Sequence, residues 1–160
     1  MAVATGREHG LFIDGETAEP LDGDVRELIE PATGASLARA ATAGPADVDR
    51  AVTAARTALE GAWAKTPATE RSRLLHALAD AIVANRKELA ELETRHVGKA
   101  LASTKPEVIV AAESFRFMAS AIGSIEGGTK PIGGSLLAYT LKEPVVVEAQ
   151  IVQWNYPIML

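Results

Sequence analysis

The sequence predicts an α/β fold: small N-terminal β hairpins, a layer of about four helices, a further hairpin, and the first strand of a parallel sheet. Three observations predict it. Up to Thr42, short apolar runs alternate with turn dipeptides. From Pro45 to Ile122, apolar residues recur at the spacing of a helical face, punctuated by glycine and proline. Near the end, Val145-Val146-Val147-Glu148-Ala149-Gln150-Ile151-Val152 is β-branched and almost continuously apolar, as strands buried on both faces are.

Leu11-Phe12-Ile13 followed by Asp14-Gly15 predicts a tight hairpin, because both turn residues tolerate a left-handed backbone. Val25 to Ile29 runs into the turn Pro31-Ala32-Thr33-Gly34, and Ser36 to Ala41 is placed to pair back. Gly44-Pro45 opens the first helix, since proline at the first helical position loses no hydrogen bond. Val48, Ala51, Val52, Ala55 and Leu59 form its apolar face, and Gly61 ends it. Thr66-Pro67 opens the second helix, with Thr66 as its cap and Leu74, Leu75, Leu78 and Ile82 as its core stripe. Leu89 and Leu92 continue in a third helix after Asn85, which Gly98 closes. A fourth begins near Pro106-Glu107 and carries Val108, Ala111, Ala112, Phe115, Met118, Ala119 and Ile122 on one face, until Gly127-Gly128 stops it. Gly133-Gly134 then separates Thr129–Ile132 from Leu136–Leu141 as a second hairpin, and Glu143-Pro144 breaks away from it. A parallel strand needs neighbours, and the run 145–152 has none within these residues, so the sequence reads as unfinished.

Composition narrows the function. The chain has 160 residues, 48% apolar and 23% charged, which suits one globular domain. Sixteen Lys and Arg against 21 Asp and Glu leave a net charge of −5. Neither nucleic acid nor an anionic membrane is expected as a partner of so acidic a chain, and aromatics at 4% argue against a base-stacking surface. There is no cysteine, so no disulfide, thiolate metal site or thiol nucleophile exists here. The beginning shows no signal-peptide pattern and no window resembles a membrane span, which makes a cytoplasmic location the expectation. His9, His76 and His96 are too scattered for a metal cluster, and neither a P-loop nor Gly-x-Gly-x-x-Gly occurs. Ser72, His76 and Asp80 recur every four residues opposite Leu74 and Leu78, which reads as a solvated polar face. Lys87 and Glu91 read as a surface ion pair.

The informative segment is Gln150-Ile151-Val152-Gln153-Trp154-Asn155-Tyr156-Pro157. A buried strand ending in Trp-Asn before a helix-opening proline lies where α/β sheets bind ligands. An asparagine amide fixed there can serve as a preorganised donor to a developing oxyanion, or as a cap for the helix.

These residues resemble the Trp-Asn-Phe/Tyr-Pro signature of the NAD(P)-dependent aldehyde dehydrogenase superfamily. The likeness extends through Leu11–Glu16, the turn Pro31–Gly34 (with Glu30 in an asparagine's place), Asp47–Val52, Ala62-Trp63, Leu92-Glu93-Thr94 with Gly98-Lys99, and Gly133-Gly134 with Ala138–Thr140 and Glu143-Pro144. The resemblance implies three regions. Residues 1–126 would be N-terminal strands plus the helical part of the cofactor-binding domain, 127–143 an oligomerisation hairpin, and 144–160 the first strand and turn of a Rossmann-like cofactor domain. It implies the oxyanion-hole role for Asn155 and a nicotinamide cofactor, NAD or NADP, lined by the backbone of Ile151, Val152, Gln153 and Trp154. The implied substrate is a small-molecule aldehyde, and the implied partner is another subunit, identical or homologous, paired through 127–143. The family has glycine where Val146 and Ala149 stand and proline where Gln153 stands. Its catalytic cysteine and general-base glutamate lie downstream of this sequence, so the resemblance implies an N-terminal fragment inactive alone. The alternative is a non-catalytic interaction module, or a decayed fragment, that associates with an intact homologue.

Overall fold

The computed structural model of the protein describes residues 8–144 and 147–160. Strand β1 (Glu8–His9) runs parallel to β5 (Ser36–Thr42), and β4 (Asp24–Ile29) pairs antiparallel with β5, giving the order β1-β5-β4. Strands β2 (Leu11–Ile13) and β3 (Glu16–Ala18) form the expected hairpin, with Asp14 at φ 56° and Gly15 at φ 80°. Those angles match the right-handed twist of the strands on either side.

Helix α1 (Pro45–Glu60) follows Gly44, its N-cap. Glycine has no side chain to cap with, and Asp47 compensates from within the first turn. Its carboxylate is fully buried and accepts from Gly44 N at 3.2 Å and from Leu21 N at 3.0 Å, with Arg50 at 3.4 Å. Asp22 adds a bond from Ala46 N at 3.0 Å. Two acidic groups at the positive end of a helix are favourable on dipole grounds as well. Burial works against ionisation of Asp47, but these backbone donors and Arg50 outweigh it and lower its pKa. A depressed folded-state pKa contributes stability that is full above the unfolded value, about 4, and is lost as pH falls through the folded value. Asp47→Asn is therefore expected to melt below the parent at pH 7, with the gap closing on acidification below about pH 4. Thermal melts of both proteins from pH 7 to 2 check this, and a gap that stays constant with pH would contradict it.

Helix α2 (Ala68–Ala84) begins later than expected. Thr66 is not its cap: the hydroxyl donates to Ala62 O at 3.1 Å and closes the short 3-10 turn Trp63–Lys65, leaving extended Pro67 to start the helix. Helices α3 (Arg86–Val97) and α4 (Leu101–Ala121) complete the layer. The fourth helix starts at Leu101, so Pro106 lies inside it. Packing overrides the local rule here, because buried Thr104 ties the first turn to α3, donating to Ala90 O at 3.0 Å and meeting Thr94 Oγ1 at 2.8 Å.

The core of the helical layer is built from small residues. Ala79, Ala90, Ala111, Ala112 and Ala119 are buried together with Val108. Alanines let α2 and α4 approach closely, and Ser72 on α2 donates to Ala119 O at 2.7 Å, while Arg116 reaches Asp80 at 2.7 Å. Ser72 is thus half-buried against α4, while His76 and Asp80 are exposed as expected of a solvated polar face, Asp80 meeting Arg116 at the surface. Leu74 and Leu78, expected in the core, are exposed, as are Val48, Ala51 and Ala55 on α1 and Met118 on α4. Lys87 and Glu91 form no ion pair among the described residues.

The second hairpin is present but short, β6 (Thr129–Lys130) against β7 (Ala138–Tyr139), with Gly133 and Gly134 both at positive φ. At its base Gly127 lies so close to Thr140 O that no Cβ could fit. Of the expected strand 145–152, Val145 and Val146 lie outside the described residues. Val147 to Val152 form no ladder. A strand acquires ladder hydrogen bonds only from neighbouring strands, and these residues have none beside them among the described residues.

Candidate functional site

The candidate site lies where three segments meet. The first is the turn Pro31–Gly34, closed by Glu30 N to Ala35 O at 2.9 Å and Gly34 N to Glu30 O at 2.8 Å. It docks on the end of α3, where Glu30 and Arg95 form a half-buried ion pair at 2.8 Å. Gly98 caps α3 in the left-handed conformation, φ 82°, and a Cβ there would come within 2.8 Å of Pro31. Both constraints require glycine, and together they set the direction in which the next residue, Lys99, leaves the helix.

Lys99 reaches back over the α3–α4 junction. Its Nζ donates to Glu107 Oε2 and lies 3.5 Å from Glu93 Oε1. It also donates to the backbone carbonyl of Asn155 at 3.1 Å and sits 3.9 Å from the centre of the Tyr156 ring. Glu93 is 4% exposed, and neither of its carboxylate oxygens has a hydrogen-bond partner among the described residues. Burial, with the Glu107 carboxyl beside it, pushes the Glu93 carboxyl above the usual range despite the pull of Lys99. Burial also works against the Lys99 charge, yet Glu107 and Glu93 hold its pKa above the ordinary lysine value.

The third segment is the turn itself. Tyr156 N donates to Gln153 O at 3.4 Å, and Met159 N and Leu160 N donate to Tyr156 O at 3.1 Å, so a single helical turn opens after Asn155. Pro157 and Ile158 rest against Leu89, Leu92 and His96 of α3 around a cavity of about 280 Å³. Asn155 is exposed and its side chain makes no hydrogen bond among the described residues, so the amide is free to donate. Ile151 is 100% exposed, and Val152, Gln153 and Trp154 are exposed beside it. The backbone of Ile151 and Val152 is unpaired among the described residues, leaving an open polar edge next to Asn155.

The five residues singled out from sequence thus lie on one continuous exposed segment. Sequence reasoning did not find that Lys99, Glu93, Glu107 and Tyr156 converge on it, since they are spread over three elements with no periodic signature. A cavity of about 630 Å³ lies elsewhere: Ala55, Leu59, Trp63, Arg71 and Val147 are among its lining, and it shares no residue with the Asn155 turn. Among the described residues no group of three or more His, Cys, Asp or Glu could hold a metal ion. No helix of the described residues is long and apolar enough to cross a membrane.

Residues 19–160 match the model of the aldehyde dehydrogenase family. The Arabidopsis thaliana protein "Aldehyde dehydrogenase family 2 member B4, mitochondrial" is 39% identical over 152 residues, covering 94% of this chain and 28% of that protein. The structure of a mutant aldehyde dehydrogenase from Bacillus cereus superposes with a TM-score of 0.91 at 39% identity, over 95% of this chain and 31% of that one. The NAD+ complex of a Bacillus cereus aldehyde dehydrogenase superposes with a TM-score of 0.83 at 38% identity, over 86% of this chain and 28% of that one. The chain spans about a third or less of the length of these relatives.

Proposed function

The chain belongs to the aldehyde dehydrogenase family, and from that premise we propose that it is the N-terminal portion of an enzyme that oxidises an aldehyde to a carboxylic acid with NAD(P)+. The observation that carries this reading is the placement of Asn155. It stands on a turn tied by its backbone to the helical layer, with its side-chain amide unengaged and an open polar edge beside it.

In the reaction, a cysteine thiolate supplied by the rest of the enzyme attacks the aldehyde carbon, and the carbonyl oxygen becomes an oxyanion. Asn155 donates its amide N–H to that oxygen and stabilises the charge as it develops. The thiohemiacetal then loses hydride, and water cleaves the resulting thioester to the acid and restores the thiol. The exposed backbone of Ile151, Val152, Gln153 and Trp154 fits a nicotinamide cofactor, because among the described residues only its Gln153 carbonyl is engaged, by Tyr156 N. When bound, that cofactor supplies the hydride acceptor. The 160 residues hold no cysteine, so they do not perform the first step alone.

The hairpin within 127–143 serves, on the same reading, as the contact to another subunit, identical or homologous. Its Ile132, Leu136, Leu137, Tyr139 and Leu141 are all exposed, more apolar surface than a lone hairpin leaves uncovered. That surface equally suits a non-catalytic module that pairs with an intact homologue.

Joining residues 1–160 to the remaining two-thirds of the Bacillus cereus enzyme tests the proposal. The chimera is expected to reduce NAD+ in the presence of aldehyde, and the 160-residue chain to show no turnover. A folded but inactive chimera, or turnover by the chain alone, would overturn it.

A further inference from the structure

We propose that Lys99 is a positioning residue for Asn155, holding the oxyanion-binding turn through its backbone. The inference rests on the function proposed above for Asn155 and adds a residue to it. Position 153 carries Gln, whose φ no ring fixes, and the turn Gln153–Tyr156 is spanned by one long hydrogen bond of 3.4 Å. Such a turn needs an outside restraint if the Asn155 amide is to keep a single direction. Lys99 provides two restraints from one atom. Its ammonium donates to the Asn155 carbonyl at 3.1 Å and lies over the next ring, Tyr156, at 3.9 Å. The carbonyl belongs to the peptide that joins Asn155 to Tyr156 and the ring stands on the next residue, so that peptide cannot rotate without losing the Lys99 bond.

The ammonium is itself held from two helices. Glu107 on α4 accepts from Nζ, and Glu93 on α3 lies 3.5 Å away. Low exposure around this group makes each interaction stronger than it would be in water. The same enclosure suits a lysine: a long flexible stem delivers a compact charge that hydrogen-bonds Glu107 and the Asn155 carbonyl and lies beside the Glu93 carboxylate. The position of the turn is thereby referred to the α3–α4 junction, where Glu93, Thr104 and Val108 are buried, rather than to the exposed segment before it.

Removing Lys99 alone would leave two carboxylates facing each other, so the test uses Lys99→Met combined with Glu93→Gln and Glu107→Gln. In the chimera, this variant is expected to lower kcat about 10-fold with KM for the aldehyde within about twofold. Lys99→Arg, which keeps the charge and the donors, is expected to retain most of kcat. Added to Asn155→Ala, the combined variant is expected to cost less than about twofold more, because Lys99 acts through Asn155. An unchanged kcat, or the same 10-fold loss in the Asn155→Ala background, would overturn the proposal. A second measurement needs no catalysis. In the 160-residue chain, the combined variant is expected to drop the backbone order parameters of Asn155 and Tyr156 from about 0.85 to below about 0.6, with α3 and α4 unchanged. If they stay rigid, the restraint lies elsewhere and the proposal fails. If they loosen while the parent chimera is inactive, it is the aldehyde dehydrogenase reading that has failed.

Discussion

Replacing Asn155 by alanine in the completed enzyme is expected to lower kcat by about 10² to 10³, the usual loss on removing one oxyanion donor. Melting temperature should hardly move. The reason for separating the two lies in the turn: Asn155 is exposed, and what fastens it to the protein is its carbonyl, accepting from Lys99, rather than its side chain. Truncation at Cβ therefore removes a donor without removing an anchor. KM for the aldehyde should change far less than kcat, because the amide meets its full charge only in the tetrahedral species. Asn155→Asp keeps the shape but substitutes an acceptor for the donor and places negative charge beside the oxyanion, so it should lose at least as much. Steady-state kinetics of both variants check this, and a loss below about threefold in Asn155→Ala would remove Asn155 from the chemistry.

Replacing Leu37 by alanine is expected to destabilise the protein by about 3 kcal/mol, read as a melting temperature lower by about 6 to 12 °C. Leu37 is 2% exposed on the central strand β5, the largest apolar side chain buried to this degree. It already borders a cavity of about 240 Å³ shared with His9, Leu28, Leu92 and His96. Neighbours that leave a gap beside leucine will not collapse onto alanine, so the void adds to the lost transfer energy. Leu37→Met, which keeps volume and flexes into the gap, should cost less than about 1.5 kcal/mol. Denaturation of both variants decides the matter. A loss under 1 kcal/mol for alanine would show that the sheet and α3 do close up.

Where one residue dictates its own backbone, the sequence could be read directly. Asp14-Gly15 announced a hairpin, Gly44-Pro45 a helix start, and Gly98 a helix end, and each stands in the structure because it relieves a steric or hydrogen-bonding conflict on the spot. Trp154-Asn155 was legible through family likeness. The misreadings concern which surfaces meet. Periodicity shows that α2 has two faces, but Leu74 and Leu78 looked like the buried one, whereas Ala79 packs in the core and Ser72 and Asp80 reach α4. Hydrophobicity ranks side chains by size, while close approach of two helices selects small ones. The start of α4 was hidden by Pro106, because Thr104, which fixes the first turn, acts across to α3. The run 145–152 reads as a buried strand from its β-branched residues, but its described part, 147–152, forms no strand and is largely exposed, because pairing is a property of neighbours, not of the run. Lys99 was out of reach for the same reason: its partners, Glu93, Glu107 and Asn155, are separated along the chain by distances that obey no period.

The alanine seams invert the usual map of which positions tolerate change. In a core of leucines, one residue can shrink or swap shape and its neighbours adjust. Between α2, α3 and α4 the side chains at 79, 90, 111, 112 and 119 are already near the smallest available, so almost every substitution adds volume where the backbones set the spacing. From any alanine codon, a one-base change yields serine, threonine, valine, proline, aspartate, glutamate or glycine, and only glycine is smaller. A library covering every residue should therefore show its deepest depletion at these five alanines, ahead of exposed leucines such as Leu74 and Leu78. The least conspicuous side chains of the sequence would then mark its most constrained sites.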